Sequence, residues 1–211
     1  VPVNDNGSPG SINWAGFHFT ELDETVEDIV LPMRAALAAR GEQLRVNLNY
    51  ISFGTATGHS NPSEYAEFML AVFQHLQNRY GFVPDAIEVI LEPDNNTIWT
   101  GTGIGQLIAA TGDRLAAAGF HPEFIGPSVM SMSHAVSYFD AIASVPGAMT
   151  YLSELSYHRY AGVSDANLAA IASRAAARGV RTAMLEHIGS GVDALYKDLT
   201  IAKAAGWEQA A

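Results

Sequence analysis

The chain has 211 residues, 48% of them hydrophobic and 16% charged, which favours a substantial core and argues against disorder. The formal net charge of −11 argues against binding to nucleic acid or to an anionic membrane surface, since both require a basic patch. Cysteine is absent, which excludes disulfides, thiolate metal sites and cysteine nucleophiles. One domain is the expectation at this length.

Strands and helices alternate along the predicted chain. In chain order the apolar runs that predict strands are Ile12–Phe19, Leu44–Ile51, Ala86–Leu91, Glu123–Val129, Leu152–Tyr157 and Arg181–Leu185. Between them, apolar residues at helical spacing predict helices over Leu22–Ala39, Ser63–Tyr80, Gly105–Ala118, His134–Ala143, Asp165–Arg178 and Val192–Ala205. Pro32 predicts a kink or a second start within the first helix.

This alternation predicts an α/β fold with a mainly parallel sheet, either open and doubly wound or closed as a (β/α)8 TIM barrel. A doubly wound nucleotide-binding fold has a glycine-rich turn after its first strand. The one candidate, Gly101–Gly105, lacks the expected spacing and is interpreted as a loop and helix start. Polar residues gather instead after strand C-termini, where barrel enzymes have their active sites. The barrel is therefore favoured.

Two glutamates follow apolar strands and precede loops rich in Gly, Asn, Asp or Pro. Glu92 ends the third predicted strand and Glu186 the sixth. Two carboxylates across a barrel mouth meet the requirement of glycosidic cleavage: one protonates the leaving oxygen, and the other attacks the anomeric carbon or activates a water. Each glutamate alone is more typical of a solvated strand end. As a pair they favour chemistry.

The fifth predicted strand adds His158 and Tyr160, which share parity and should point the same way. A tyrosine hydroxyl beside a nucleophilic carboxylate would hydrogen-bond it and keep its pKa low. His158 is interpreted as a ligand of a sugar hydroxyl or a group that tunes the acid. The alternative is a packing histidine.

Four further residues are candidates for substrate contact. Trp14 and Trp99 would either stack on a sugar ring or belong to the core. Asn47 and Asn49 alternate with apolar residues on the second predicted strand, so they are predicted to face the barrel interior or its mouth.

Three segments, "ILEPDN", "LSYHRY" and "MLEHIGSG", in that order, resemble the retaining glycoside hydrolases of the (β/α)8 superfamily called clan A. The resemblance implies that Glu92 is the acid/base at the end of barrel strand 4 and Glu186 the nucleophile at the end of strand 7. It places His158 and Tyr160 on strand 6. The pattern looks closest to endo-acting β-glycanases and β-glycosidases of the xylanase and glucanase type. Such enzymes act on carbohydrates and require no metal or organic cofactor.

The strand count of that resemblance predicts a partial barrel. If the third and sixth predicted strands are barrel strands 4 and 7, the chain covers about strands 2–7, and strands 1 and 8 form one missing wedge. A full barrel takes about 250 residues, more than this chain has. Residues 1–211 are therefore expected to be a single barrel catalytic domain, incomplete at both ends.

One residue departs from the family pattern. The family has an asparagine immediately before the acid/base, where it contacts the sugar 2-hydroxyl, and here that residue is Leu91. Asn95, Asn96 or Asn47 would have to supply the contact. The departure puts catalytic activity in question.

Two other functions stay open at this point. A non-catalytic carbohydrate-binding barrel is favoured by Leu91 and by the apparent truncation. A metal-dependent hydrolase would use His18, His158, His187 and a carboxylate, although the usual HxH and HExxH spacings are absent. We expect a carbohydrate partner, no nucleic acid, no membrane, and a secreted, extracellular location. The oligomeric state is left open.

Overall fold

The computed structural model describes residues 6, 8–54, 58–185 and 187–208. Within them, six parallel strands form one sheet in chain order. They are β1 (Asn47–Asn49), β2 (Ala86–Glu88), β3 (Glu123–Ser131), β4 (Leu152–Ala161), β5 (Arg181–Met184) and β6 (Ala204–Trp207). A doubly wound sheet reverses its strand order at a switch point. The described sheet has no such reversal, so the doubly wound alternative is wrong.

The sheet is curled, as a contact between distant strands demonstrates. Arg45, just before β1, lies with Nη2 3.0 Å from Oε1 of Glu154 on β4. Neighbouring strands lie about 4.8 Å apart, so in a flat sheet β1 and β4 would be about 14 Å apart. Arg181 pairs with Glu154 at 2.7 Å, and both arginines contact Glu123. These charges close the amino-terminal end of a partial barrel.

The helices are α1 (Thr20–Thr25), α2 (Leu31–Ala38), α3 (Pro62–Tyr80), α4 (Gly101–Ala117), α5 (Ala135–Ala143), α6 (Ala148–Tyr151), α7 (Asp165–Arg178) and α8 (Val192–Lys197). A π-helical turn, Val26–Val30, joins α1 to α2 directly before Pro32. A kink or a second start was predicted at Pro32; instead the backbone stays right-handed helical through the junction, and the π turn lies in the turn that a helical proline crowds. No helix of the described residues is long and apolar enough to cross a membrane.

The glycine-rich segment Gly101–Gly105 forms the first turn of α4, so the helix begins four residues before the predicted Gly105 and the loop part of the interpretation is wrong. Thr100 caps this turn by accepting a hydrogen bond from the Gly103 amide at 3.1 Å. A Cβ on Gly101 would lie 2.7 Å from the Tyr138 carbonyl oxygen, and one on Gly105 would lie 2.7 Å from Val145 Cγ2. These two glycines therefore serve the close packing of α4 against α5.

Two predicted elements are wrong. Ile12–Phe19 is not a strand: residues Trp14–Gly16 form a 3₁₀ turn, and Phe17 makes an isolated bridge. The helix predicted over Val192–Ala205 ends early, because a π-helical turn closes at Lys203 in the left-handed region (φ 58°) and β6 begins. The alanine-rich sequence of β6 has a local preference for helix. Its pairing with β5, in the register Thr182 to Ala204, overrides that preference.

The two faces of the sheet pack differently. The main core lies on the face covered by α3, α4, α5 and α7, with strand residues such as Ile87, Phe124 and Leu155 fully buried. Strand residues of the opposite parity form a separate small cluster of Ala86, Ile125, Ala183 and Leu185. Parity therefore separates the helix-covered core from the inner face of the partial barrel.

Candidate active site

Polar and aromatic side chains lie in the last residues of β4 and in the segments that follow β2 and β5. Glu92 follows β2, His158 and Tyr160 lie near the end of β4, and His187 follows β5. This end of a parallel barrel carries the catalytic residues in known barrel enzymes. Glu92, His158, Tyr160 and His187 therefore lie toward the same edge of the sheet, and the location of an active site there stays a prediction.

Glu92 has an unusual backbone and a nearly buried carboxyl group. Its φ of 47° and ψ of 58° lie in the left-handed region, which disfavours residues with a Cβ. Its amide donates to the Ser128 carbonyl oxygen on β3 at 3.0 Å. The side chain is 14% exposed. Asn95 Nδ2 donates to Glu92 Oε2 at 2.8 Å, so the predicted Asn95 lies against the predicted acid/base.

His158 lies directly beside Glu92. Its ring is 1% exposed, and Nδ1 is 3.2 Å from Glu92 Oε1. The contact lacks hydrogen-bond alignment, and within the described residues neither ring nitrogen has a hydrogen-bond partner. Burial, with a smaller contribution from His187, lowers the pKa of His158 to about 4. The ring is therefore neutral at neutral pH, and Glu92 faces no imidazolium charge that would favour its ionised form.

The buried neutral ring of His158 should make stability depend on pH. The unfolded chain binds its proton below about pH 6.5 and the folded chain only below about 4, so folding loses stability as pH falls through this window. A shift of this size corresponds to about 3 kcal/mol. Chemical denaturation from pH 7.5 to 4 measures it, comparing wild type with His158→Gln and with exposed His121→Gln.

In that comparison, His158→Gln should flatten the loss between pH 6.5 and 4, while His121→Gln should follow the wild type. Equal pH dependence in all three proteins would contradict a buried neutral His158.

Tyr160 contacts the segment that follows β5. Its ring stacks on His187 with centroids 4.3 Å apart, and its hydroxyl oxygen accepts from the Ile188 amide at 3.3 Å. Ser190 Oγ lies 2.8 Å from His187 Nδ1. Glu186 lies outside the described residues, so its predicted contact with Tyr160 stays a prediction.

The two strand asparagines lie at different cavities. Asn47 Nδ2 donates to Oε2 of the fully buried Glu88 at 3.2 Å. It also lines a cavity of about 480 Å³ with Arg45 and Glu154. Asn47 thus belongs to the barrel interior, one of its two predicted positions. Asn49 lines a cavity of about 650 Å³ between β1, α1 and α3.

The two tryptophans differ in accessibility. Trp99 is 2% exposed and packs edge-on against Tyr50, with centroids 6.1 Å apart. A ring this buried has no free face on which a sugar could stack, so Trp99 belongs to the core. Trp14 is 48% exposed and lies beside Phe17, so its ring is accessible.

Asp94, within the segment "ILEPDN", is a buried residue whose role the sequence does not indicate. Its carboxylate is 3% exposed and accepts from the amides of Met130 and Ser131 at 2.6 and 3.0 Å. His134 Nδ1 lies 2.9 Å from Asp94 Oδ2. The sequence signal was an aspartate in a proline turn, but its partners lie 36 residues or more away.

The metal-dependent alternative gains no support from the fold. Within the described ranges, no three histidine or acidic side chains are arranged to hold a metal ion. His158 and His187 instead contact Glu92 and Tyr160, respectively.

No family model matches the sequence, and no curated protein matches it. Several solved structures are similar. The catalytic domain of a GH30 xylanase C from Talaromyces cellulolyticus aligns over 98% of this chain and 54% of its own, with 14% identity and a TM-score of 0.66. SrfJ from Salmonella typhimurium aligns over 99% of this chain and 52% of its own, with 11% identity and a TM-score of 0.70.

A monomeric β-xylosidase from Caulobacter crescentus aligns over 90% of this chain and 48% of its own, with 14% identity and a TM-score of 0.59. The chain thus spans about half the length of these three structures. At such identities the similarity establishes the fold. The clan A resemblance is confirmed as a resemblance of fold: the described strands form a partial barrel similar to the barrels of these structures.

Proposed function

We propose that this chain carries the active site of a retaining β-glycoside hydrolase, with Glu92 as acid/base and Glu186 as nucleophile. The observation that supports it most is the environment of Glu92. Its carboxyl lies at the carboxyl-terminal edge of a parallel sheet, between an amide donor on Asn95 and the neutral ring of His158. A carboxyl group that must donate a proton benefits from a neutral neighbour.

The reaction proceeds in two displacements. In the first, Glu186 attacks the anomeric carbon while Glu92 gives its proton to the leaving oxygen. In the second, Glu92 takes a proton from the water that releases the sugar from Glu186. Retention requires the two carboxyl groups to lie about 5–5.5 Å apart, and inversion about 6.5–9.5 Å.

The proposal assigns the strands to barrel positions. If β2 is barrel strand 4 and β5 is strand 7, as expected from the sequence, then β1 is strand 3 and β6 is strand 8, so the described strands cover positions 3–8 instead of the expected 2–7. Two further strands then complete the barrel between β6 and β1. Large apolar side chains are exposed on the helical segments next to both edge strands: Ile29, Met33, Val192, Tyr196 and Leu199. Their exposure supports a missing wedge at this place.

The proposed substrate is a β-linked polysaccharide or oligosaccharide of plant or microbial origin, and the proposed location is extracellular. The sugar is proposed to contact the exposed side chains of the mouth, among them Tyr160. The chemistry uses two carboxyl groups and water, so it calls for no cofactor.

The experiment is hydrolysis of aryl β-glycosides and soluble β-glycans by the wild type and by Glu186→Ala. The wild type should turn over at least one substrate, and Glu186→Ala should lose that turnover. Azide should restore the turnover of the variant and yield a glycosyl azide of inverted configuration, because azide then attacks the anomeric carbon in a single displacement. Full activity of Glu186→Ala would overturn the assignment.

A carbohydrate-binding barrel without catalysis is the second candidate. Leu91 favours it, because it stands where the family has its substrate-binding asparagine. This function predicts saturable sugar binding, no turnover, and binding that survives Glu186→Gln. Calorimetric titration with the same β-glycans, run beside the hydrolysis panel, distinguishes the two functions.

A further inference from the structure

Beyond the end of β2 the backbone still hydrogen-bonds to β3, and further along the side chain of Asp94 takes over this role. The Val89 amide donates to the Ile125 carbonyl oxygen at 3.3 Å, and the Glu92 amide to that of Ser128 at 3.0 Å. Past Glu92 the backbone turns away. The Asp94 carboxylate then accepts hydrogen bonds from two amides further along β3, those of Met130 and Ser131.

The environment of Asp94 makes this attachment firm. Its carboxylate is 3% exposed, and a buried carboxylate is costly unless its oxygens accept hydrogen bonds. Two backbone amides and His134 Nδ1 surround the oxygens. His134 belongs to the short 3₁₀ turn that connects β3 to α5. Asp94 therefore joins the turn after Glu92 to both the end of β3 and the start of the next helix.

The backbone of Glu92 needs such support. A residue with a Cβ in the left-handed region is strained and persists only when its surroundings fix it. The turn Glu92-Pro93-Asp94 is held at its first residue by Ser128 and at its third by β3 amides. Pro93 between them has a fixed φ. Release of Asp94 would let Glu92 relax away from His158.

We propose that Asp94 is the positioning residue of Glu92: its attachment to the end of β3 and to His134 fixes the left-handed turn that directs the Glu92 carboxyl at the substrate. The effect of Asp94 on catalysis rests on the proposed function. Its effect on the placement of Glu92 against His158 does not depend on that function.

The first test compares Asp94→Asn with the control Asp113→Asn in the full chain. Asn is isosteric with Asp but has one oxygen, so it cannot offer a separate oxygen to each of the two β3 amides as Asp94 does. Asp113 accepts from the Tyr151 hydroxyl on the exposed surface. We expect Asp94→Asn to lower kcat/KM up to about 10²-fold for glycosides with poor leaving groups. Dinitrophenyl glycosides should change little, since they leave without a proton.

The second readout is the ring ¹⁵N spectrum of His158 at pH 7, which requires no turnover. Movement of the Glu92 carboxyl should shift its signals in Asp94→Asn and leave them unchanged in Asp113→Asn. His134→Ala leaves the Asp94 charge in place, so a shift of the same sign there reports displacement of Glu92. If Asp94→Asn fails to fold, His134→Ala decides by the same two readouts.

The outcomes are separable. If the wild type hydrolyses nothing but the His158 spectrum shifts as expected, the proposed function fails and the positioning stands. A folded Asp94→Asn with wild-type leaving-group dependence and a wild-type His158 spectrum overturns the positioning role. If Asp94→Asn does not fold, wild-type leaving-group dependence and a wild-type His158 spectrum in His134→Ala overturn the positioning role.

Discussion

Replacing Glu92 with alanine is expected to slow the hydrolysis of glycosides with poor leaving groups by about 10²–10⁴-fold, the usual contribution of a general acid. The loss should shrink as the leaving group becomes more acidic, because a dinitrophenolate departs without protonation. The measurement is kcat/KM across a series of aryl β-glycosides, plotted against the pKa of the leaving phenol. Glu92→Ala should show a steeper slope than the wild type.

Azide supplies a second, stereochemical criterion for Glu92. In Glu92→Ala azide replaces water in the second displacement, so the expected glycosyl azide retains configuration, opposite to the product of Glu186→Ala. Glu24→Ala, on the exposed surface of α1, is the matched control and should keep the wild-type slope. An unchanged slope in Glu92→Ala would mean that another group protonates the leaving oxygen.

The parts of the fold that were predictable are those with strong local signals. β2 to β5 coincide with apolar runs, and α7 has the predicted bounds, since Ser164 caps its first turn and Gly179 ends it in the left-handed region. The predicted strand Ala86–Leu91 is three residues too long, since β2 ends at Glu88, and Glu92 follows the strand by four residues. The shared side of His158 and Tyr160 was predictable, since it depends on strand parity alone.

The parts that were not predictable depend on contacts distant in sequence. β6 is rich in alanine and glycine, and it becomes a strand because it pairs with β5. Trp99 was open between sugar and core until its neighbour Tyr50 was known. Asp94 and His134 meet across 40 residues, and no local pattern signals such a pair. A single sequence indicates where carboxyl groups lie on strands but not which side chains hold them.

Replacing Asp198 with alanine is expected to cost about 3–5 kcal/mol of unfolding free energy, the usual loss when a buried ion pair keeps one partner. Asp198 is fully buried and lies 2.6 Å from Arg159 Nη1, whose side chain is 9% exposed. It also accepts from the Tyr157 hydroxyl at 2.8 Å and from Trp207 Nε1 at 3.0 Å. Alanine would leave a buried cation and two donors unsatisfied.

This network joins β4 to β6, and Arg159 directly follows His158 on β4, so its loss should loosen the strand that carries the site. Urea denaturation of wild type, Asp198→Ala and Asp198→Asn measures the effect, and asparagine should lose less because it still accepts a hydrogen bond. Asp193→Ala, on the exposed first turn of α8, should cost at most about 1 kcal/mol. Equal losses of unfolding free energy in Asp198→Ala and Asp193→Ala would contradict this expectation. They would mean that water hydrates Arg159 in the variant, and that backbone pairing through β5 is enough to hold β6 to β4.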